Sequence, residues 1–312
     1  MRRDANSLLK LACTYSIVAR DLQTGEMGVA VQSHWFGVGR LVCWAESGVG
    51  AVATQAMVEV SYGPEGLARM RAGRSAPLVL QELLAADAQR ELRQVAMVDA
   101  RGEAAVHTGA RCIAEAGHEL GQGWSVQANM MATRQVWPAM AHAYREGRGD
   151  LAERLLAALE AAEAAGGDVR GKQAAAMRIV KPTPSERPWD DVLVDLRVED
   201  SPAPLPELRR LVRLNRAYQH MNQGDALLGE DSVPEALEQY RIAAQIAPEI
   251  AELPFWHATT LADMGRIDEA LPLFRDVFAR DPRLIELLKR VPVAGLLHLD
   301  EAALRRILET AQ

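Results

Sequence analysis

The chain has 312 residues, 49% of them hydrophobic, and a formal net charge of −7. That length can bury a large core and predicts two domains; the acidic balance, with no basic stripe, argues against a nucleic-acid partner, and no uninterrupted apolar run of about 18 residues offers a membrane span. Cys13, Cys43 and Cys112 are odd in number and lack C-x-x-C spacing, which argues against a disulfide framework or a zinc site and makes a reducing cytoplasm the expected compartment.

Residues 1–13 form a leader with Arg2-Arg3 and the stretch Leu8-Leu9-Lys10-Leu11-Ala12. Its apolar core is shorter than a secretory signal needs, and Lys10 stands where a lipoprotein cleavage site ahead of Cys13 needs an aliphatic residue. The leader reads as a prosegment or a plain extension.

Thr14 then opens the run Thr14-Tyr15-Ser16-Ile17-Val18-Ala19-Arg20-Asp21. Threonine is β-branched and suits a strand whatever its chemistry. If the leader were removed, Thr14 would also carry a free α-amine, of reference pKa about 7.7–8.0, beside its own hydroxyl. One residue would then supply nucleophile and base.

Short strand-like runs recur from residue 15 to 52, separated by turns at Thr24-Gly25 and Gly37-Val38-Gly39. Helical spacing follows at 64–72 and 76–84, then a hairpin around Asp99-Ala100-Arg101-Gly102 joins strands 94–98 and 104–108. A strand at 124–129 precedes helices at 136–144 and 151–164, the second stopped by Gly166-Gly167. Strands at 174–180 and 192–198 complete a layered α+β domain over 14–200, with sheets packed together and helices outside.

Pro202-Ala203-Pro204-Leu205-Pro206 predicts a linker over 201–207, and a helical domain over 208–312 follows. Within it Glu235-Ala236-Leu237 recurs as Glu269-Ala270-Leu271, Tyr240-Arg241 as Phe274-Arg275, and Ala247-Pro248 as Asp281-Pro282, each 34 positions on. This period resembles the tetratricopeptide (TPR) repeat, in which a small residue lets two helices approach, an aromatic fills the gap and Pro stops the second helix. Two units are clear, and 208–221 and 300–308 are expected to complete or cap the stack. Such a stack offers a concave surface to a protein or peptide partner, or packs against the first domain or a second subunit. A homodimer is compatible with both sheet edges and a short stack.

Gly48-Val49-Gly50-Ala51-Val52-Ala53 fits a loose G-x-G-x-x-A pattern but runs into Thr54-Gln55 rather than a helix, so its glycines read as close backbone approach, not as a dinucleotide site. Gly166 to Gly171 lacks the Lys-Ser/Thr end of a phosphate loop. It leaves Asp168 and Arg170, which either bridge to fix the turn or orient a Thr14 amine and hold a substrate carboxylate. Asn129 either closes a turn or donates to an oxyanion. Ser33 and His34 follow the second strand; His34 is a proton carrier or a satisfied histidine, with no triad pattern around it. His107, His118 and His142 lack metal spacing, and neither a metal nor a cofactor is expected.

Together with Thr14 to Asp21, the blocks Thr24-Gly25-Glu26-Met27-Gly28-Val29-Ala30-Val31, Ser33-His34-Trp35-Phe36, Gly48 to Ala56, Arg93-Gln94-Val95, Val98-Asp99-Ala100, His107-Thr108-Gly109, Asn129-Met130 and Gly166 to Gln173 resemble the proposed N-terminal-nucleophile (Ntn) hydrolase family catalogued as domain of unknown function 1028. The resemblance covers about 14–211. It implies a four-layer αββα Ntn-hydrolase-like sandwich, with Thr54 and Gln55 facing the nucleophile. The reading that follows is an amidohydrolase cleaving a C–N bond of a small-molecule or peptide amide substrate. Thr14 is its nucleophile after leader removal, Asn129 and Asp168 assist, and Ser33, His34, Thr54, Gln55 and Arg170 bind substrate; Cys13 after cleavage behind Ala12 is a minor variant. The alternative is a catalytically inactive Ntn-like scaffold joined to a TPR adaptor.

Overall fold

A computed structural model describes the backbone of Leu11 and Ala12 and, with side chains, residues 14–230 and 232–311. Residues 1–10 and Cys13, which hold most of the leader and the alternative nucleophile, lie outside the described residues. The chain divides into two compact units, Met1–Val212 and Arg213–Gln312.

The first unit runs β1 (Leu11–Ala12), β2 (Thr14–Arg20), β3 (Met27–Ser33), α1 (Gly39–Val42), β4 (Cys43–Glu46), β5 (Gly50–Met57), α2 (Tyr62–Arg71), α3 (Ala76–Ala86), β6 (Arg93–Asp99), β7 (Ala104–Thr108), β8 (Gly117–Gly121), β9 (Trp124–Ala128), α4 (Val136–Glu146), α5 (Leu151–Ala164), β10 (Ala174–Val180) and β11 (Val192–Val198). These strands form two antiparallel sheets. One is ordered β11-β10-β3-β2-β9-β8; in the other, β6 and β7 lie beyond one edge of β5 while β4 and β1 share its opposite edge. There β4 covers Gly50–Ala53 and β1 covers Ala56 and Met57. The chain therefore leaves one sheet after Ala12 and enters the other at Thr14.

Strand alternation decides the layers. Tyr15, Ile17 and Ala19 of β2 and Trp124 and Val126 of β9 meet α4 and α5. The residues between them, with Val29 and Val31 of β3, point the other way and meet Ala51, Ala53, Ala96 and Val98 of the second sheet. That sheet turns Val52, Val95 and Met97 toward α2 and α3. Helices, sheet, sheet and helices stack in that order, and each fully buried aliphatic side chain contributes about 1.5–3 kcal/mol.

Gly50 shows what its glycine is for: a Cβ there would stand 2.4 Å from the Val98 carbonyl oxygen, so any side chain would push β5 off β6. At the far end of the unit, α5 is capped by Asp150, whose carboxylate accepts from Glu153 N, and ends at Gly166 and Gly167, with φ of +121° and +59°.

The segment expected to be a linker already carries the first turn of α6 (Pro204–Gly229). Pro204 and Pro206 are tolerated because the first N–H groups of a helix have no intrahelical acceptor to lose. Leu205, Leu208 and Val212 pack into the α4–α5 layer, and Arg209 pairs with Glu160 of α5.

The second unit continues α6 and adds α7 (Val233–Ile246), α8 (Glu252–Asp263), α9 (Ile267–Arg280), α10 (Arg283–Arg290) and α11 (Glu301–Glu309). Ala258 and Ala262 of α8 and Ala270 of α9 are buried, which lets Phe255 and Phe274 meet edge to face at 6.0 Å. Among the described residues no helix is long and apolar enough to cross a membrane.

Candidate active site

The space between the two sheets is apolar over most of its length and polar at one end. At that end the inward positions are Thr14 and Ser16 of β2, Ser33 of β3, Gln55 of β5, Gln94 of β6, Gln127 of β9 and, just past β9, Asn129; each is fully buried. Groups so placed cannot reach water and must satisfy one another.

They do so around Gln94. Its amide nitrogen donates to the carbonyls of Ala128 (2.9 Å) and Gly117 (3.2 Å) and to Thr108 Oγ1 (2.9 Å). Two of those partners can only accept, so the orientation of the carboxamide is decided and Oε1 faces the other way. Oε1 accepts from Gln55 Nε2 at 2.7 Å and from Asn129 Nδ2 at 2.9 Å. Both of those nitrogens also reach the Thr14 carbonyl oxygen, at 3.2 and 3.4 Å, as does Asn129 N at 3.1 Å. The far side is closed by Ser16, which accepts from Gln127 Nε2 and donates to Gln55 Oε1, both at 2.6 Å.

Asn129 Oδ1, at the edge of this network, is buried without a hydrogen-bond partner. Both Asn129 N–H groups are engaged in this network, by Gln94 Oε1 and the Thr14 carbonyl, where the sequence led to the expectation of a donor to an oxyanion. Ala56 and Met130, the residues directly after Gln55 and Asn129, hold φ of +68° and +60°. Left-handed backbone at non-glycine positions costs about 1–3 kcal/mol each and is retained where surrounding structure imposes it. Met130 is pinned from both sides, donating to the Ile113 carbonyl and accepting from Val169 N.

Beside the end of β3 lies a second, charged group. The fully buried Asp168 carboxylate accepts from Arg170 N, Nε and Nη2 at 2.7–3.0 Å and from His34 N at 3.4 Å. It ties the loop after α5 to the residue following Ser33. Tyr15 donates to Glu163 at 2.8 Å, and Glu163 pairs with Lys172 at 3.2 Å. Burial first, and then the charges of Glu163 and Asp168, hold the Tyr15 phenol well above the usual tyrosine range.

Thr14, Ser33, Gln55 and Asn129 are thus brought to one polar end, and His34, Asp168 and Arg170 cluster beside it. Thr54 is not part of it. It pairs with Val95, shares that residue's face toward α2 and α3, and donates to the Glu59 carbonyl at 2.9 Å. Neighbouring strand residues point to opposite faces, so Thr54 and Gln55 cannot both look at Thr14. Gln94, Ser16 and Gln127 received no role from the sequence, although their positions alternate with those of buried apolar residues. Among the described residues no three His, Cys, Asp or Glu side chains gather as a metal site would require.

A helix–sheet–sheet–helix unit with a threonine at the head of an inner strand is the class that this geometry defines. The chain belongs to the family of unknown function DUF1028, whose model matches residues 14–208. A Silicibacter pomeroyi protein of the same family, known from a crystal structure, is 30% identical with a TM-score of 0.58; the match covers 65% of this chain and 88% of that one. No curated protein matches.

Proposed function

We propose that the first unit is an N-terminal-nucleophile amidohydrolase that becomes active when residues 1–13 are removed. The observation that carries this reading is the convergence of the Gln55 and Asn129 carboxamides, through Gln94, on Thr14. That the family match begins at Thr14 itself supports it further.

The freed amine of Thr14 would donate to Asn129 Oδ1, the buried acceptor with no present partner, and keep a lone pair for the hydroxyl proton. Thr14 Oγ1 attacks the substrate carbonyl and its proton passes to the amine. As the tetrahedral intermediate collapses, the C–N bond breaks and the leaving nitrogen takes that proton. Water then attacks the acyl-threonine ester, the amine again accepting the proton, and the acid departs as Oγ1 is reprotonated. Oxyanion donors come from the backbone N–H groups on the stretch of β5 that β1 now covers, since Asn129 has none free.

The full-length chain fits the second reading, a scaffold without activity: Thr14 is fully buried, its nitrogen is in a peptide bond, and β1 occupies the edge of β5 beside it. Leader removal separates the two states. In the second unit the 34-residue repeat supports a TPR reading, since Ala236 and Ala270 are both buried, Tyr240 and Phe274 likewise, and Pro248 and Pro282 follow the ends of α7 and α9. Intact-mass measurement of native protein, paired with amide turnover by Thr14→Ala, tests the hydrolase reading.

A further inference from the structure

The second unit contains a cleft of about 770 Å³ between α6, α7 and α8. Its walls are apolar and aromatic, with Met221, Leu228, Tyr240, Trp256 and Leu296 among them. Leu296 is 67% exposed and Met264 at the rim 39%, which is apolar surface left facing water. Among the described residues on its walls, the charged ones are three carboxylates, Asp225, Glu252 and Asp263, with no Lys or Arg.

What holds those carboxylates distinguishes them from their neighbours. Elsewhere in the unit Glu238, Glu269, Asp281 and Glu286 are each matched by an arginine. In the cleft, Asp225 accepts from the Tyr240 hydroxyl (2.5 Å), Glu252 from Trp256 Nε1 (3.3 Å) and the Tyr218 hydroxyl (3.4 Å), and Asp263 from the backbone and ring nitrogens of His298 (2.6 and 3.1 Å). These donors orient the oxygens without an arginine or lysine to neutralise them. Three such charges around an aromatic wall favour a cation that brings its own apolar flank, because ammonium and guanidinium groups pair with carboxylates and lie over indole faces.

We propose that this cleft binds a basic peptide segment of a partner protein, placing Lys or Arg side chains against Asp225, Glu252 and Asp263 and intervening aliphatic side chains against Trp256, Met221 and Leu296. The cleft volume exceeds what one side chain fills, which favours a run of residues over a single amine. The proposal stands on the cleft and is independent of any chemistry at Thr14.

Calorimetric titration of the full-length protein with an acetylated, amidated hexapeptide of sequence Lys-Leu-Leu-Lys-Leu-Leu tests it. The expected result is one-to-one binding that weakens at higher salt, and that falls by about tenfold or more when Asp225→Asn, Glu252→Gln and Asp263→Asn are combined. Glu238→Gln, outside the cleft, is expected to leave binding unchanged. Should the triple variant lose its circular dichroism signature, Asp263→Asn alone carries the test, with a smaller but measurable loss expected. No binding at millimolar peptide, equal binding by the hexapeptide with Glu in place of Lys, equally tight binding of 1,5-diaminopentane, or unchanged affinity in the carboxylate variants would each overturn it.

Discussion

The side-chain oxygen of Gln94 accepts from the Asn129 amide at 2.9 Å and thereby decides which way Asn129 faces. Because Gln94 is held from behind by two backbone carbonyls, it cannot turn over, and the Asn129 oxygen is left as a buried acceptor beside the head of β2. Gln94→Ala removes that hub and strands donors on Gln55 and Asn129. A loss of about 3 kcal/mol in urea unfolding is expected. A loss below about 0.5 kcal/mol would mean that the inward carboxamides do not depend on it.

Thr54 and Gln55 are adjacent in sequence and opposite in orientation, which makes them a matched pair of probes. Thr54→Val removes one hydroxyl bond to the Glu59 carbonyl; it is expected to cost about 1 kcal/mol of stability and to leave amide turnover within about twofold. Gln55→Leu breaks contacts to Thr14, Ser16 and Gln94, and turnover by leader-free protein is expected to fall by about a hundredfold or more. Equal effects of the two substitutions on turnover would contradict the assignment of faces.

Alkaline pH reads the buried tyrosines. Burial, reinforced by Glu163 and Asp168, raises Tyr15 well above its ordinary value, and burial pushes Tyr144 up to about 12. Below about pH 10 both folded and unfolded tyrosines are protonated and stability does not vary on their account. As pH rises past about 10 only the unfolded chain loses these protons, so stability falls until the folded values are reached. Thermal melts from pH 8 to 11.5 are expected to show that fall, shallower in Tyr15→Phe by up to about 1.4 kcal/mol per pH unit. An unaltered slope in Tyr15→Phe would show that Tyr15 ionises normally in the folded protein.

Strands and helix pairs can be read from residue patterning, because hairpin turns, alternation and the Ala-Leu-Glu run of α5 are local signals. The polar cluster is not local. Ser16, Gln94 and Gln127 look like the outward half of an amphipathic strand until it is noticed that Ile17 and Val18, on opposite faces of one strand, are both buried. With both faces covered, a glutamine has to find partners inside, and the partners come from segments as far apart in sequence as Ser16 and Gln127. Asn129 shows the same limit: the direction of its carboxamide is imposed by a residue 35 positions earlier. Thr54 was misplaced because a resemblance names neighbours without saying which face each takes. Pro204 suggested a break, and a helix's first turn accommodates it.

The N-terminus of the native protein tests the central claim most directly. Intact-mass spectrometry of protein purified from its own cells, run beside an amide-hydrolysis assay, is expected to give a chain beginning at Thr14, with turnover confined to that species and abolished in Thr14→Ala. A chain that keeps residues 1–13 and still hydrolyses an amide would contradict it.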